Sequence, residues 1–401
     1  MKKNTAKRSP MRWKKPLRFL YFIGILYARL MIQLKYRVKI DRTGLKDMRG
    51  PCLVLSPHLS DQDHWLVGLA MLPHRPTFVL SAHFMANPKL RPVLRMMHCI
   101  SKKMFCPDLS TILNIMRAKE AGCSIVLFPE GRLPCVPVTD PVTEGTAQLI
   151  RKLCVPVYVV HAAGAALTFP KWAKHPRRGE IHISGAKLFD AQQLADMTDA
   201  EIESAVGAAL RHDELALCRD IAFHAKACAK GAENILYRCP HCNEEYTIQT
   251  EGDRIFCSAC GFSASIDAKG YLDGAHFNNI IDWYAWQGEQ LAVQRPILQA
   301  HMTLDAVGDD GNMQSGIGKG EARMDETTFS FAGEAFGKPF SFSLPLSKIG
   351  TFPLTTGKWF DCYVEKRQYR FLPPRGAEVA KWAQYADVLR AERLCADGKT
   401  V

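Results

Sequence analysis

Two Cys-x-x-Cys pairs, Cys239 with Cys242 and Cys257 with Cys260, restrict this chain more than any other feature. Each pair suits a tight knuckle, so four thiolates can surround one ion tetrahedrally, and the pattern predicts a four-cysteine zinc ribbon over residues 236–268. Gly261 follows the second pair, where a knuckle needs a permissive backbone. Four thiolates leave a zinc ion no open position, so its expected role is structural. His241 is an alternative ligand that the set does not need. The other ten of the 14 cysteines have no regular spacing, which excludes a disulfide scaffold and fits a reducing compartment.

The ribbon divides the 401 residues into unlike halves. Before it, short apolar stretches at 52–56, 77–81, 124–128, 156–161 and 181–184 alternate with helical patterns at 63–72, 88–97, 109–120 and 143–153. Buried strands separated by helices predict an α/β layered domain with a mixed or mostly parallel sheet over 41–230, closing in a helical stretch near 191–228. After the ribbon, a helix is expected at 280–291, where Trp283, Tyr284 and Trp286 suit packing better than a membrane anchor. Strands at 299–306, 319–325, 327–332, 361–366 and 368–372 and a helix at 376–395 follow. In the stretch 339–345, Phe340, Phe342 and Leu344 share one face. Residues 275–401 therefore read as a helix plus a small β-rich domain of pleckstrin-homology type.

Composition, 47% hydrophobic and 23% charged, excludes a disordered chain. The net charge of +12 is concentrated at the start: Lys2, Lys3, Lys7, Arg8, Arg12, Lys14, Lys15 and Arg18 occur with no acid among them. The apolar stretch behind them runs only from 19 to 28, too short for a spanning helix, and no apolar stretch suits a polytopic transporter. With no small-residue cleavage site, residues 1–40 read as a basic arm and a helix lying in one leaflet, on an anionic membrane at its cytoplasmic face. A buried first helix is the plainer alternative. Nucleic acid is not an expected partner, because Glu244, Glu245, Glu251 and Asp253 between the knuckles oppose a single Arg254.

The chemistry concentrates in two strand ends. Ser56-Pro57-His58-Leu59-Ser60-Asp61-Gln62-Asp63-His64 leaves a buried strand and enters a helix, where open α/β sheets place ligands. Four residues separate His58 from Asp63, so the carboxylate can reach one imidazole nitrogen while the other faces a cleft, a pair suited to deprotonating a hydroxyl. Asp61 competes for the orienting role, and Asp63 also suits a helix N-cap. In the second segment, Phe128-Pro129-Glu130-Gly131-Arg132, Arg132 offers a forked donor for phosphate, and Glu130 either orients it or holds a substrate hydroxyl. His161, at a later strand end, reads as a core histidine. The basic stretch 170–178 reads either as facing lipid phosphates or as a solvated loop.

Residues 57–63, PHLSDQD, resemble the histidine–four residues–aspartate motif of the glycerolipid acyltransferases, the group that includes lysophosphatidic acid acyltransferase. FPEGRL at 128–133 is similar to that family's phosphate-binding motif, 154–159 to its Val-Pro-Val strand, and 100–105 to its basic motif, with Lys103 the matching residue. The resemblance covers about residues 45–215. It implies direct acyl transfer from a thioester, acyl-coenzyme A or acyl carrier protein, to a lysophospholipid hydroxyl without an acyl-enzyme. By position, His58 is the base, Asp63 its orienter, and Glu130, Gly131, Arg132 and Lys103 the acceptor site. The favoured acceptor is 1-acylglycerol 3-phosphate, giving phosphatidate. Pro57, Arg132-Leu133 in place of the commoner Thr-Arg, and Lys102 and Lys103 in place of the usual arginine depart from the family, which keeps another lysolipid such as lysophosphatidylethanolamine as the alternative acceptor. A non-catalytic lipid-binding scaffold on the same fold is the competing class.

Overall fold

The computed structural model describes residues 14–87, 89–103, 108–308, 312–365 and 367–396. The basic arm up to residue 13, and Met104 and Phe105 of the basic-motif segment, lie outside the described residues.

The first half folds as α1 (Arg18–Gln33), β1 (Arg37–Ile40), β2 (Leu53–Leu55), α2 (Asp63–Ala70), β3 (Thr77–Ser81), α3 (Ala82–Ala86), α4 (Arg91–Met96), β4 (Ile100–Lys102), α5 (Leu109–Glu120), β5 (Ile125–Leu127), α6 (Thr146–Leu153), β6 (Val157–Ala163), α7 (Ala165–Thr168) and β7 (Glu180–Phe189). The seven strands form one sheet in the order β1-β7-β6-β2-β5-β3-β4, parallel throughout except for the β6–β7 pair. Both sides of its centre are covered, so side chains two apart divide between two cores. Leu53, Leu55, Ile125, Leu127, Val157 and Val159 pack with α5 and α6. Val54, Val126, Tyr158 and Val160 face α1 and α2 instead. The predicted alternation and the mixed sheet are thus present. β1 and β4 have no counterpart in the sequence pattern, because three or four residues with charged members carry no clear apolar period.

Helix α1 packs one of its faces into the domain, as the plainer alternative of a buried first helix expects. Tyr21, Ile25, Ala28 and Ile32 form a buried stripe that joins the sheet's core, and Gly68 of α2 lets Ile25 come close. The opposite stripe, Phe19, Ile23, Leu26, Tyr27, Leu30 and Leu34, is apolar yet exposed. Among the described residues, no helix is long and apolar enough to cross a membrane.

The stretch 191–228 is only partly helical, which corrects the expectation. It contains α8 (Gln193–Asp196), α9 (Asp199–Leu210) and α10 (Glu214–Leu217), after which the chain is irregular to residue 231. A capping box between Thr198 and Glu201 starts α9. Beyond α10, tertiary contacts override helix propensity: Phe223 is fully buried, its N–H donates to the Ala268 carbonyl, and Cys228 N–H donates to Asp253 Oδ1.

The ribbon strands β8 (Ile248–Glu251), β9 (Arg254–Cys257), β10 (Ser263–Ile266) and β11 (Leu272–Asp273) form an antiparallel sheet. Helix α11 (Ile280–Gln294) follows, then β12 (Leu298–Val307), β13 (Met313–Met324), β14 (Thr328–Ala335), β15 (Lys338–Pro345), β16 (Leu354–Thr355), β17 (Trp359–Val364), β18 (Arg367–Leu372) and α12 (Gly376–Ala396). These last seven strands run antiparallel in the order β15-β14-β13-β12-β18-β17-β16, with α12 packed against them. A sheet of this kind closed by one helix meets the pleckstrin-homology-like expectation. Phe329 contacts Phe342, Phe352, Phe360, Phe371 and Trp382 edge-on, forming the aromatic centre. Ribbon residues Cys239, Ile248, Ile255 and Cys257 belong to the same continuous core. Trp283 is fully buried there and its indole N–H donates to the Arg238 carbonyl, so the aromatic helix packs inward.

Candidate active site

Strands β2 and β5 are parallel neighbours, with Leu55 opposite Leu127, so the turns that leave them meet at one edge of the sheet. The ladder extends one step past them, Ser56 N–H donating to the Leu127 carbonyl at 3.3 Å. Two residues on, His58 N–H donates to Glu130 Oε1 at 3.1 Å. Parallel pairing thus places the two motifs side by side.

Asp63 is the first residue of α2, and the N-cap position belongs to Gln62. Its Oδ2 accepts from Leu59 N–H and Ser60 N–H, each at 2.8 Å, and lies 3.1 Å from His58 Nδ1. With Nδ1–H donating to the carboxylate, the lone pair of the neutral ring is on Nε2. Phe128 stacks on the imidazole at 4.6 Å between centroids, fixing the ring plane, while a quarter of the His58 side chain stays exposed. Burial pushes the Asp63 carboxyl above its usual range, opposed by His58 and the two backbone donors. Asp61 is exposed, so Asp63 fills the orienting position.

Glu130 holds backbone N–H groups rather than the Arg132 guanidinium. It is almost fully buried, and its two oxygens accept from His58 N–H and from Asp140 N–H at 3.2 Å, tying three turns together. Burial, reinforced by the Asp140 charge, lifts its carboxyl well above the ordinary 4.5. The folded state therefore keeps a proton that the unfolded chain releases, so this group favours folding most at low pH and loses that contribution as pH rises through the folded pKa. Urea unfolding of wild type and Glu130→Gln at about pH 5 and about pH 8 checks this. Wild type is expected to lose stability relative to the variant over that interval, and a constant difference would refute it.

Gly131 takes a positive φ of 82°, which turns the chain so that Arg132 points away from the sheet edge toward the C-terminal half. There Arg132 Nε donates to Asp140 Oδ2 at 2.7 Å, Nη2 donates to Asp387 Oδ2 of α12, and Nη1 approaches the Phe352 carbonyl at 3.4 Å. The guanidinium expected to be open to a phosphate is thus engaged on all three nitrogens. Its two carboxylate partners outweigh burial and keep it charged. Asp140, Thr351, Asp387 and Arg390, which surround it, carried no signal in the sequence; Asp387 is 255 residues from Arg132.

Lys103 follows β4 and is exposed, with its backbone N–H donating to Asp108 Oδ2. β3 lies between β4 and β5, which puts the ends of these two strands about 10 Å apart. Lys103 therefore shares the active edge of the sheet without meeting Arg132. His161 is a core histidine as expected: its Nε2 donates to the Ala209 carbonyl and Nδ1 faces His212, and burial beside His212 pushes it down to about 4. The stretch 170–178 is solvated in part, with Lys174, His175, Pro176 and Arg178 exposed. Trp172 and Arg177 are buried, the guanidinium over the indole and donating to the Cys228 carbonyl, so the loop packs against the ribbon side.

The four ribbon cysteines converge as predicted. Their sulfurs lie within 4.8 Å of one another, with the Cys239–Cys260 and Cys242–Cys257 pairs at 3.8 Å. Tetrahedral zinc with Zn–S bonds of about 2.3 Å spaces its sulfurs about 3.8 Å apart, so this donor set could hold a metal ion. His241 stays out of the cluster, its ring stacked on Phe262.

The Acyltransferase family model matches residues 37–162, which span β1 to β6 and carry both the His58–Asp63 pair and the Glu130 turn. This part of the chain is an acyltransferase-family domain. A solved structure, the 1-acyl-sn-glycerophosphate (LPA) acyltransferase PlsC of Thermotoga maritima, is similar at 14% identity and a TM-score of 0.36, covering 46% of this chain and 78% of that one. No curated relative matches the sequence.

Proposed function

We propose that the protein moves a fatty acyl group from an acyl thioester to the free hydroxyl of a lysophospholipid, with 1-acylglycerol 3-phosphate as acceptor and phosphatidate as product. The observation that carries this is the His58–Asp63 pair, held within an acyltransferase-family domain by three hydrogen bonds to one carboxylate oxygen. His58 Nε2 takes the proton of the glycerol hydroxyl while its oxygen attacks the thioester carbon. Asp63 stabilises the imidazolium that forms, and the expelled thiolate recovers the proton. No acyl-enzyme is involved, and coenzyme A or acyl carrier protein serves as the donor's carrier.

The acceptor is the finer question. Arg132 already faces two carboxylates, which favours as a second reading an acceptor whose phosphate carries a cationic group, such as lysophosphatidylethanolamine. Acyl transfer by the purified full chain to a panel of lysophospholipids in mixed micelles tests both. Turnover on lysophosphatidate alone supports the first reading, turnover on lysophosphatidylethanolamine alone the second, and no turnover with either donor overturns acyl transfer.

The same reading places the protein on the cytoplasmic face of an anionic membrane as a monotopic enzyme. The support is the exposed apolar stripe of α1, with Phe19 at 74% and Leu26 at 65% exposure, together with the eight basic residues among the first 18 of the sequence. Leu26→Glu with Leu30→Glu should lower binding to phosphatidylglycerol-containing vesicles at least about tenfold in sedimentation. Undiminished binding would remove α1 as the anchor. Zinc at the four cysteines, as a structural ion, completes the proposal.

A further inference from the structure

The seam between the α/β domain and the C-terminal half runs through the Glu130–Arg132 turn. Asp387 of α12 is held there by two donors, Arg132 Nη2 on one oxygen and Thr351 Oγ1 at 2.5 Å on the other. A guanidinium and a hydroxyl gripping one anion is the way proteins hold a phosphate. Arg390, one turn along α12, lines the same small cavity with Glu130, Arg132, Asp140 and Thr351. The cavity is about 50 Å³, room for water but not for a phosphate ester.

We propose that this corner of the seam is the acceptor's phosphate site, formed by Arg132, Thr351 and Arg390, and that Asp387 fills it as a resident stand-in which a phosphomonoester displaces. The proposal rests on the lysophospholipid reading above and assigns two new ligands, both from the C-terminal half. The exchange is physically reasonable because the two partners differ in freedom. The Arg132 side chain is 11% exposed and pinned by Asp140, whereas that of Asp387 is 29% exposed and can rotate into water. A phosphomonoester carries more charge than the carboxylate and three terminal oxygens, enough to engage Arg132, Thr351 and Arg390 together. The C-terminal half thereby sets acceptor choice: a headgroup must both compete with Asp387 and reach Arg390.

Isothermal titration of the full chain with sn-glycerol 3-phosphate tests this without requiring turnover. Asp387→Asn should tighten binding about tenfold, and Arg390→Gln and Thr351→Val should weaken it, the arginine by about tenfold. The KM for 1-acylglycerol 3-phosphate should move in the same directions. Absence of glycerol 3-phosphate binding, or binding that is unchanged or weaker in Asp387→Asn with native circular dichroism, overturns the site. Arg390→Gln guards against a folding artefact, because Arg390 is only partly buried, and an unchanged affinity there also refutes the proposal. Binding that follows the three variants without any acyl transfer would retain the site and sink the enzymatic reading. Turnover indifferent to all three would do the reverse.

Discussion

His58→Ala is expected to lower acyl transfer about a thousandfold or more while leaving the melting temperature near that of wild type. Alanine keeps the main-chain N–H that donates to Glu130, and the imidazole is partly exposed, so the loss should be chemical rather than structural. Asp63→Asn should also be severe, by about a hundredfold or more. An amide can still accept from Leu59 and Ser60 N–H, but it loses the charge that offsets the imidazolium and offers no second charged acceptor to Nδ1. A melting temperature close to that of wild type beside the lowered rate separates that role from packing. Steady-state rates with a labelled donor, measured from about pH 5 to about pH 9, check both variants. Retention of more than about a tenth of wild-type turnover in His58→Ala would remove His58 as the base.

The second large effect concerns the ribbon. Stripping metal with a chelator, or replacing Cys257 with Ser, should collapse more than a local knuckle. Cys239 and Cys257 are buried in the same core as Trp283, Phe329 and Trp382, and Glu245 between the knuckles accepts from both Arg238 and Lys381 of α12. Structural zinc sites contribute about 10 kcal/mol or more of apparent binding free energy near neutral pH, comparable to a whole domain's stability. The expected result is one zinc per chain by elemental analysis, and after chelation a large red shift of tryptophan emission with loss of the cooperative melt of the C-terminal half. An unchanged melt in metal-free protein would show that packing alone holds this core. Because α12 also carries Asp387 and Arg390, the metal-free protein should lose its affinity for glycerol 3-phosphate as well.

Whatever is encoded between near neighbours was legible in the chain itself. The His58–Asp63 spacing brings the two side chains together across one turn, and each Cys-x-x-Cys pair closes one knuckle. The apolar period marks both the buried strands of the α/β sheet and the Phe340, Phe342 and Leu344 face, because alternation on a strand and burial of that face are the same fact. The helix over Leu109–Glu120 likewise carries its own N-cap, Asp108, whose side chain accepts from Thr111 N–H. Which partner each functional side chain meets was settled only by the packing of distant segments. Glu130 and Arg132 look from their motif like a pair addressing substrate, yet the parallel register of β2 and β5 delivers Glu130 to the His58 turn, and docking of α12 delivers Asp387 to Arg132. The stretch after α10 could not keep a helix, because Phe223 and Cys228 are fixed by partners in the ribbon. Such outcomes depend on contacts between segments far apart in the chain, whose free energy exists only once the layers have packed and water has left the seam, and no local pattern of residues reports it.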